Sequence, residues 1–136
     1  MNKVNIKYLI IIWIIIIFIL SSIPGNDIPK LNRFKIPHLD KIVHFIMYFT
    51  LQLLILVEYY KNHTQKYSFI KVLFVSIMFS VAYGVVMELL QSLIFISRTG
   101  SFYDVLANST GAVIGSLLGV LLSKNKAFIK LIGINN

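Results

Sequence analysis

The chain has 136 residues, 57% of them from the AVILMFWYC set and only 13% charged, and its mean hydropathy is +0.81. A soluble domain carries about 25% charged residues, so these values exclude a disordered chain, a nucleic-acid-binding globule and most soluble enzymes. No cysteine is present, which excludes a disulfide framework, a thiol nucleophile and a thiolate metal site, and the net charge of +8 comes from lysines flanking apolar runs, where anionic headgroups attract them.

Four apolar runs follow one another, over residues 8–23, 42–60, 68–92 and 104–122. The first has an uninterrupted apolar core at residues 9–20. Lys3 and Lys7 before it also suit a signal peptide, but Ser21-Ser22-Ile23-Pro24 is a poor small-residue cleavage site. An uncleaved helix ending at Pro24-Gly25 is expected instead. The runs are too long and too continuous for the alternating strands of a barrel. Hydrocarbon then leaves helices, which satisfy every backbone polar group within the segment. The expected fold is all-α: one domain over residues 1–136, a polytopic bundle of four transmembrane helices.

Four spans place both termini on one side. With the N-terminus inside, Lys3, Lys7, Lys61, Lys66, Lys71, Lys124, Lys126 and Lys130 are inside, and Lys30, Arg33, Lys35, Lys41 and Arg98 are outside. That split of 8 against 5 favours cytoplasmic N- and C-termini in a cell membrane.

The topology gathers polar residues from distant segments at the outer face. The second run opens with Asp40, Lys41 and His44; the third closes with Glu88 and Gln91; Arg98 and Ser101 lie in the next loop; the fourth opens with Asp104 and Asn108. Helical spacing sharpens the picture, because residues three or four apart share a face. Lys41, His44, Tyr48 and Gln52 form one stripe, Ser80, Gly84, Glu88 and Gln91 a second, and Asp104, Asn108, Gly111, Gly115 and Gly119 a third. Such stripes should face one another rather than lipid. Gly111, Gly115 and Gly119 are a helix-packing seam, within the chain or in a helix-mediated oligomer.

A charge placed deep in a span costs about 2.5–3.5 kcal/mol on insertion scales, which makes Glu88 the most informative residue. At about 1.5 Å per residue it lies roughly 30 Å along its helix, near the outer interface. It could serve as half of a structural ion pair with Arg98 or Lys41, as a protonated structural acid, or as a functional group. Arg98 is one of only two arginines against 11 lysines. Its planar fork can hold a phosphate with two parallel bonds, which lysine cannot. It could equally be a flanking charge that fixes topology. His44 is a candidate proton carrier, its unperturbed pKa lying near about 6.5.

The segments Asp40-Lys41-Ile-Val-His44-Phe45-Ile-Met-Tyr48, Tyr83-Gly84-Val-Val-Met-Glu88-Leu89-Leu90-Gln91, and Arg98 followed by Asp104-Val105-Leu106-Ala107-Asn108 and Gly111-Ala112-Val-Ile-Gly115 resemble the motifs of the VanZ-like membrane protein family. The resemblance covers about residues 8–122. It implies a small multi-pass protein of the bacterial cell envelope. The family takes its name from a member linked to low-level resistance to the glycopeptide teicoplanin; no reaction is implied.

Two functional classes fit these residues. One is a module that binds or handles an anionic, phosphate-bearing envelope lipid at the outer leaflet. Its ligand-binding residues would be Asp40, Lys41, His44, Glu88, Gln91, Arg98, Asp104 and Asn108. The other is a membrane-embedded enzyme acting on a lipid or polyprenyl phosphate. There Glu88 or Asp104 would be the base, His44 the acid or relay, and Arg98 the oxyanion clamp. No cofactor and no nucleic-acid partner is expected. His44, Glu88 and Asp104 are legal metal ligands, but no pair has HExxH-type spacing, and no metal is expected from sequence.

Overall fold

The computed structural model describes residues 5–23, 38–61, 68–95 and 100–125. They form four helices: α1 (Ile6–Ser22), α2 (Leu39–Lys61), α3 (Phe69–Leu93) and α4 (Phe102–Ser123). Each begins within three residues of the start its apolar run suggests. Among the described residues no strand occurs.

Helices α2, α3 and α4 have 23, 25 and 22 residues and are long and apolar enough to cross a membrane. Helix α1, with 17 residues, stands at the short end of the range of about 17–25 for a span. Polar side chains cap the starts of two helices. The Asn5 side chain accepts the Lys7 N–H at α1, and the Ser101 hydroxyl accepts the Tyr103 N–H at α4. Asp40 and Asp104 sit in the first turns of α2 and α4, where the helix dipole favours negative charge.

The burial pattern inverts that of a soluble protein. Among the described residues, ten buried side chains are polar or charged and eight are apolar. Isoleucines 11, 12, 15, 19, 42, 46, 70 and 114 and phenylalanines 18, 74, 79 and 102 lie on the outer surface. Lipid replaces water there, so exposed apolar groups cost nothing, and polar groups turn inward. All of His44, Tyr48, Gln52, Ser80, Gly84, Glu88, Gln91, Asp104, Asn108, Gly111, Gly115 and Gly119 are buried, so the three stripes face one another.

The tightest seam joins α2 and α4. A Cβ on Gly115 would stand 2.6 Å from the Phe49 carbonyl oxygen, and one on Gly111 would collide with the Phe45 backbone. The close approach these glycines permit is therefore made to α2 of the same chain. Helices α2 and α3 are joined by a buried polar triad. Gln52 Nε2 donates to Ser76 Oγ at 2.7 Å, and Ser80 Oγ donates to Gln52 Oε1 at 3.2 Å.

Helix α1 has an almost wholly apolar middle, and hydrogen bonds through its backbone and Trp13 tie it to the bundle. Trp13 Nε1 donates to the Met47 carbonyl at 2.9 Å, Tyr83 Oη to the Ile14 carbonyl at 2.9 Å, and Gln91 Nε2 to the Ser21 carbonyl at 3.1 Å. Ile17, Met47, Tyr48 and Leu51 form the apolar core between α1 and α2, with Tyr83 of α3 packed against it. Helices α1 and α4 contact the α2–α3 pair but not each other.

The seam makes a differential prediction. Gly115→Ala adds a methyl against rigid backbone and should cost about 1–3 kcal/mol. At Gly119 the nearest obstacle, 2.5 Å away, is the Leu56 Cδ1 methyl at the end of a flexible side chain. The gain in helix propensity from glycine to alanine, about 1 kcal/mol, should there offset much of the clash. Thermal unfolding in detergent should rank Gly115→Ala well below Gly119→Ala, with Gly119→Ala close to wild type.

Candidate functional site

The antiparallel order of the helices brings one end of each to the same face of the bundle. At that face stand the start of α2, the end of α3 and the start of α4. Each contributes the polar end of its stripe.

His44, one turn into α2, is 6% exposed, and its Nδ1 lies 3.1 Å from Asn108 Oδ1 on α4 and 3.4 Å from Glu88 Oε1 on α3. Glu88 is 4% exposed. Its second oxygen, Oε2, accepts the backbone N–H of Ser101 at 3.1 Å. That bond pins the residue from which α4 starts onto the last turns of α3. Gly100 makes the approach possible, since a Cβ there would run into the Glu88 carbonyl and the Ser92 hydroxyl. Asp104 lies beside this pair. One ligand atom from each of His44, Glu88 and Asp104 falls within 4.8 Å of the others.

Lys41 covers the cluster. Its Nζ donates to Asp104 Oδ1 at 3.2 Å and to Asp40 Oδ2 at 2.8 Å. The two carboxylates differ in environment: the Asp104 side chain is 8% exposed and that of Asp40 is 51% exposed. Lys41 is thus the counterion of a buried carboxylate, and Asp40 is a rim partner. Three of the five acidic residues in the chain, Asp40, Glu88 and Asp104, meet here.

Among the described residues, four buried polar atoms have no hydrogen-bond partner: Ser21 Oγ, Tyr48 Oη, Glu88 Oε1 and Asn108 Nδ2. Two of them belong to the cluster. Glu88 Oε1 faces His44 Nδ1, but at 3.4 Å it stands outside the usual hydrogen-bond range of about 2.7–3.2 Å. Two acceptor oxygens, on Asn108 and Glu88, converge on one ring nitrogen. A single N–H cannot serve both well, and the shorter contact belongs to Asn108.

Of the residues singled out from sequence, Asp40, Lys41, His44, Glu88, Asp104 and Asn108 are brought together. Gln91 is not: its amide is turned to α1, where it holds Ser21. Arg98 lies outside the described residues. An ion pair between Glu88 and Lys41 does not form, because Lys41 is engaged by the two aspartates and Glu88 faces His44. Two features escape the sequence. The Ser101 N–H bond to Glu88 uses backbone, and no side-chain pattern announces it. The Gln52–Ser76–Ser80 triad pairs residues 24 and 28 positions apart, and only Gln52 and Ser80 stand on the stripes read from spacing.

A model of the VanZ/LLP1 family matches residues 6–123. The chain belongs to this family. The match spans all four helices and therefore every residue of the cluster. No curated protein and no solved structure matches the chain. The buried, acid-rich cluster at the helix ends of this VanZ/LLP1 protein is its candidate site.

The two partners of Lys41 should respond differently to mutation. Lys41→Met strands the Asp104 carboxylate, and with Lys41 28% exposed the cost should be about 2 kcal/mol, below that of a fully buried pair. Asp40→Asn removes a half-exposed ion pair and should change stability by less than about 1 kcal/mol. Denaturant unfolding of both variants in detergent checks the order.

Proposed function

We propose that this VanZ/LLP1 protein binds an anionic, phosphate-bearing lipid at the outer leaflet of the bacterial cell membrane and handles its headgroup at the His44–Glu88–Asp104 cluster. The observation that supports this is the unmet polar demand of the cluster. Glu88 Oε1 and Asn108 Nδ2 are buried with no hydrogen-bond partner among the described residues, at the ends of spans where headgroups are found. Leaving such atoms unpaired costs about 1–3 kcal/mol each, a cost that a bound polar group would remove. Arg98 is the proposed principal phosphate contact. In sequence it stands three residues before Ser101, whose N–H Glu88 holds. A change in the lipid surface is also a route by which a member of this family would blunt teicoplanin, whose fatty acyl tail engages that surface.

One observation favours a second reading, a membrane-embedded enzyme acting on a lipid or polyprenyl phosphate. His44 Nδ1 is fixed between Asn108 Oδ1 and Glu88 Oε1. Acceptors on Nδ1 hold the imidazole in the tautomer whose Nε2 can take a proton. Among the described residues no hydrogen bond to Nε2 is formed. In this reading His44 removes the proton of an attacking water or hydroxyl, returns it to the leaving oxygen, and Glu88 stabilises the imidazolium between the two steps.

The proposed orientation rests on charge. Lys7, Lys61, Lys71 and Lys124 all stand at the end opposite the cluster, which supports a cytoplasmic location for that end. Reporter fusions after Asn62 and after Ser101 should report inside and outside respectively. The reverse pattern would put the site on the cytoplasmic face.

Mass spectrometry of lipids retained by the purified full-length protein tests the binding reading. Wild type should carry a phosphate-bearing lipid that Arg98→Ala loses while remaining folded and monodisperse. Equal retention by both proteins would defeat it. For the enzymatic reading, whole-membrane lipid profiles should differ between cells expressing wild type and His44→Gln. Identical profiles would eliminate catalysis and leave binding.

A further inference from the structure

A buried, acid-rich cluster poses an electrostatic problem. Among the described residues the cluster holds three carboxylates, from Asp40, Glu88 and Asp104, against the single fixed cation of Lys41. A divalent cation would offset this excess of acidic groups.

The donor geometry points the same way. Three lone-pair atoms converge: His44 Nδ1, Glu88 Oε1 at 3.4 Å from it and Asn108 Oδ1 at 3.1 Å. Asp104 supplies a fourth, with the His44, Glu88 and Asp104 donors all within 4.8 Å of one another. Two ligands held at about 2.1 Å on a tetrahedral ion lie about 3.4 Å apart, the separation found between Nδ1 and Oε1. The independent sign of a missing partner is Glu88 Oε1 itself, on a side chain 4% exposed, directed at the ring nitrogen and without a hydrogen-bond partner among the described residues. A proton on Nδ1 serves Asn108 and leaves Glu88 unsatisfied. A cation between them satisfies both.

We infer that His44, Glu88 and Asp104, with the Asn108 carbonyl oxygen, form a binding site for one divalent transition-metal ion at the headgroup end of the bundle. One imidazole nitrogen with carboxylate and amide oxygens is a donor set suited to Mn²⁺, Fe²⁺ or Zn²⁺ rather than to the soft ions that thiolates select. The protein donors come from three helices, so the ion would also clasp α2, α3 and α4 together. Positions the protein leaves open would accept phosphate oxygens, and this part alone rests on the lipid-binding reading above. The inference departs from what sequence spacing suggests, because the ligands stand on different helices and no local motif joins them.

The experiment uses the full-length protein in detergent, stripped with chelator and titrated with Mn²⁺ alone. Electron paramagnetic resonance should show loss of the free-ion signal at about one equivalent per chain, and spin-echo modulation from one imidazole nitrogen. Glu88→Gln and Asp104→Asn should each weaken binding by at least about tenfold. The double variant His38→Ala, His63→Ala should bind as wild type does. No uptake by wild type would overturn the inference, as would binding unchanged in Glu88→Gln and Asp104→Asn. Should those variants fail to fold, the wild-type spectrum still decides, since a bound ion without imidazole modulation excludes His44. Retention of added phosphatidylglycerol, measured with and without chelator, separates the two proposals. Metal uptake with chelator-insensitive lipid retention keeps the metal site and removes its bridge to phosphate. Lipid retention without metal uptake keeps the lipid reading and removes the metal.

Discussion

Hydrocarbon offers no hydrogen-bond partner, and every polar group in this chain is placed under that constraint. A bundle of four helices with a lipid-facing exterior has only its interior in which to satisfy glutamine, glutamate and histidine. Gln52 meets Ser76 and Ser80 there. Glu88 meets the Ser101 N–H and faces His44. The interior is consequently polar and small, and the large apolar side chains that would fill the core of a soluble domain are spent on the outside. Packing and polarity are thus solved by the same residues: small ones allow close approach, and close approach brings polar partners within reach.

The α2–α4 seam shows how the two solutions depend on each other. Gly111 meets the backbone of Phe45 and Phe49, one residue from His44 and Tyr48 in the adjacent positions of α2. Asn108 lies one turn above Gly111, against His44, and Asp104 one turn above that, against Lys41. A larger residue in the seam would move α4 outward and lengthen both polar contacts together. Gly84 plays the corresponding part on α3, where a Cβ would come within 3.1 Å of the Asn108 side chain. The cluster is held at its spacing by glycines that never touch a ligand.

The stripes were legible in sequence because isolated polar residues at three- and four-residue steps stand out against an almost continuous apolar background. His44, Glu88, Asp104 and Asn108 could be assigned to one face and one end of the bundle by counting. Partner choice was not legible, because it depends on the rotation of each helix about its axis. Gln91 illustrates the limit. A three-residue step from Glu88 turns through about 300°, short of a full turn by about 60°, and that offset carries Gln91 from the cluster to α1. Likewise Lys41 was available to Glu88 by topology alone, yet the chain gives it to Asp104. The Ser101 N–H was invisible for a different reason, since it belongs to a loop and to backbone.

Much of the attachment of helix α1 runs through its backbone, with the Trp13 indole and the Ile17 side chain as its own contributions. Tyr83 and Gln91 reach it through the carbonyls of Ile14 and Ser21, and a carbonyl is the same whatever residue carries it. Ile17 fills the core, but most of the remaining surface faces lipid, where any large apolar residue serves. Outside Trp13 and Ile17 the first helix is therefore held by a grip that does not read its sequence, and those other positions can drift through apolar substitutions at little selective cost. The donors on α3 cannot. Divergence among related chains should accordingly accumulate in the segment that is held, and constancy in the segment that holds it.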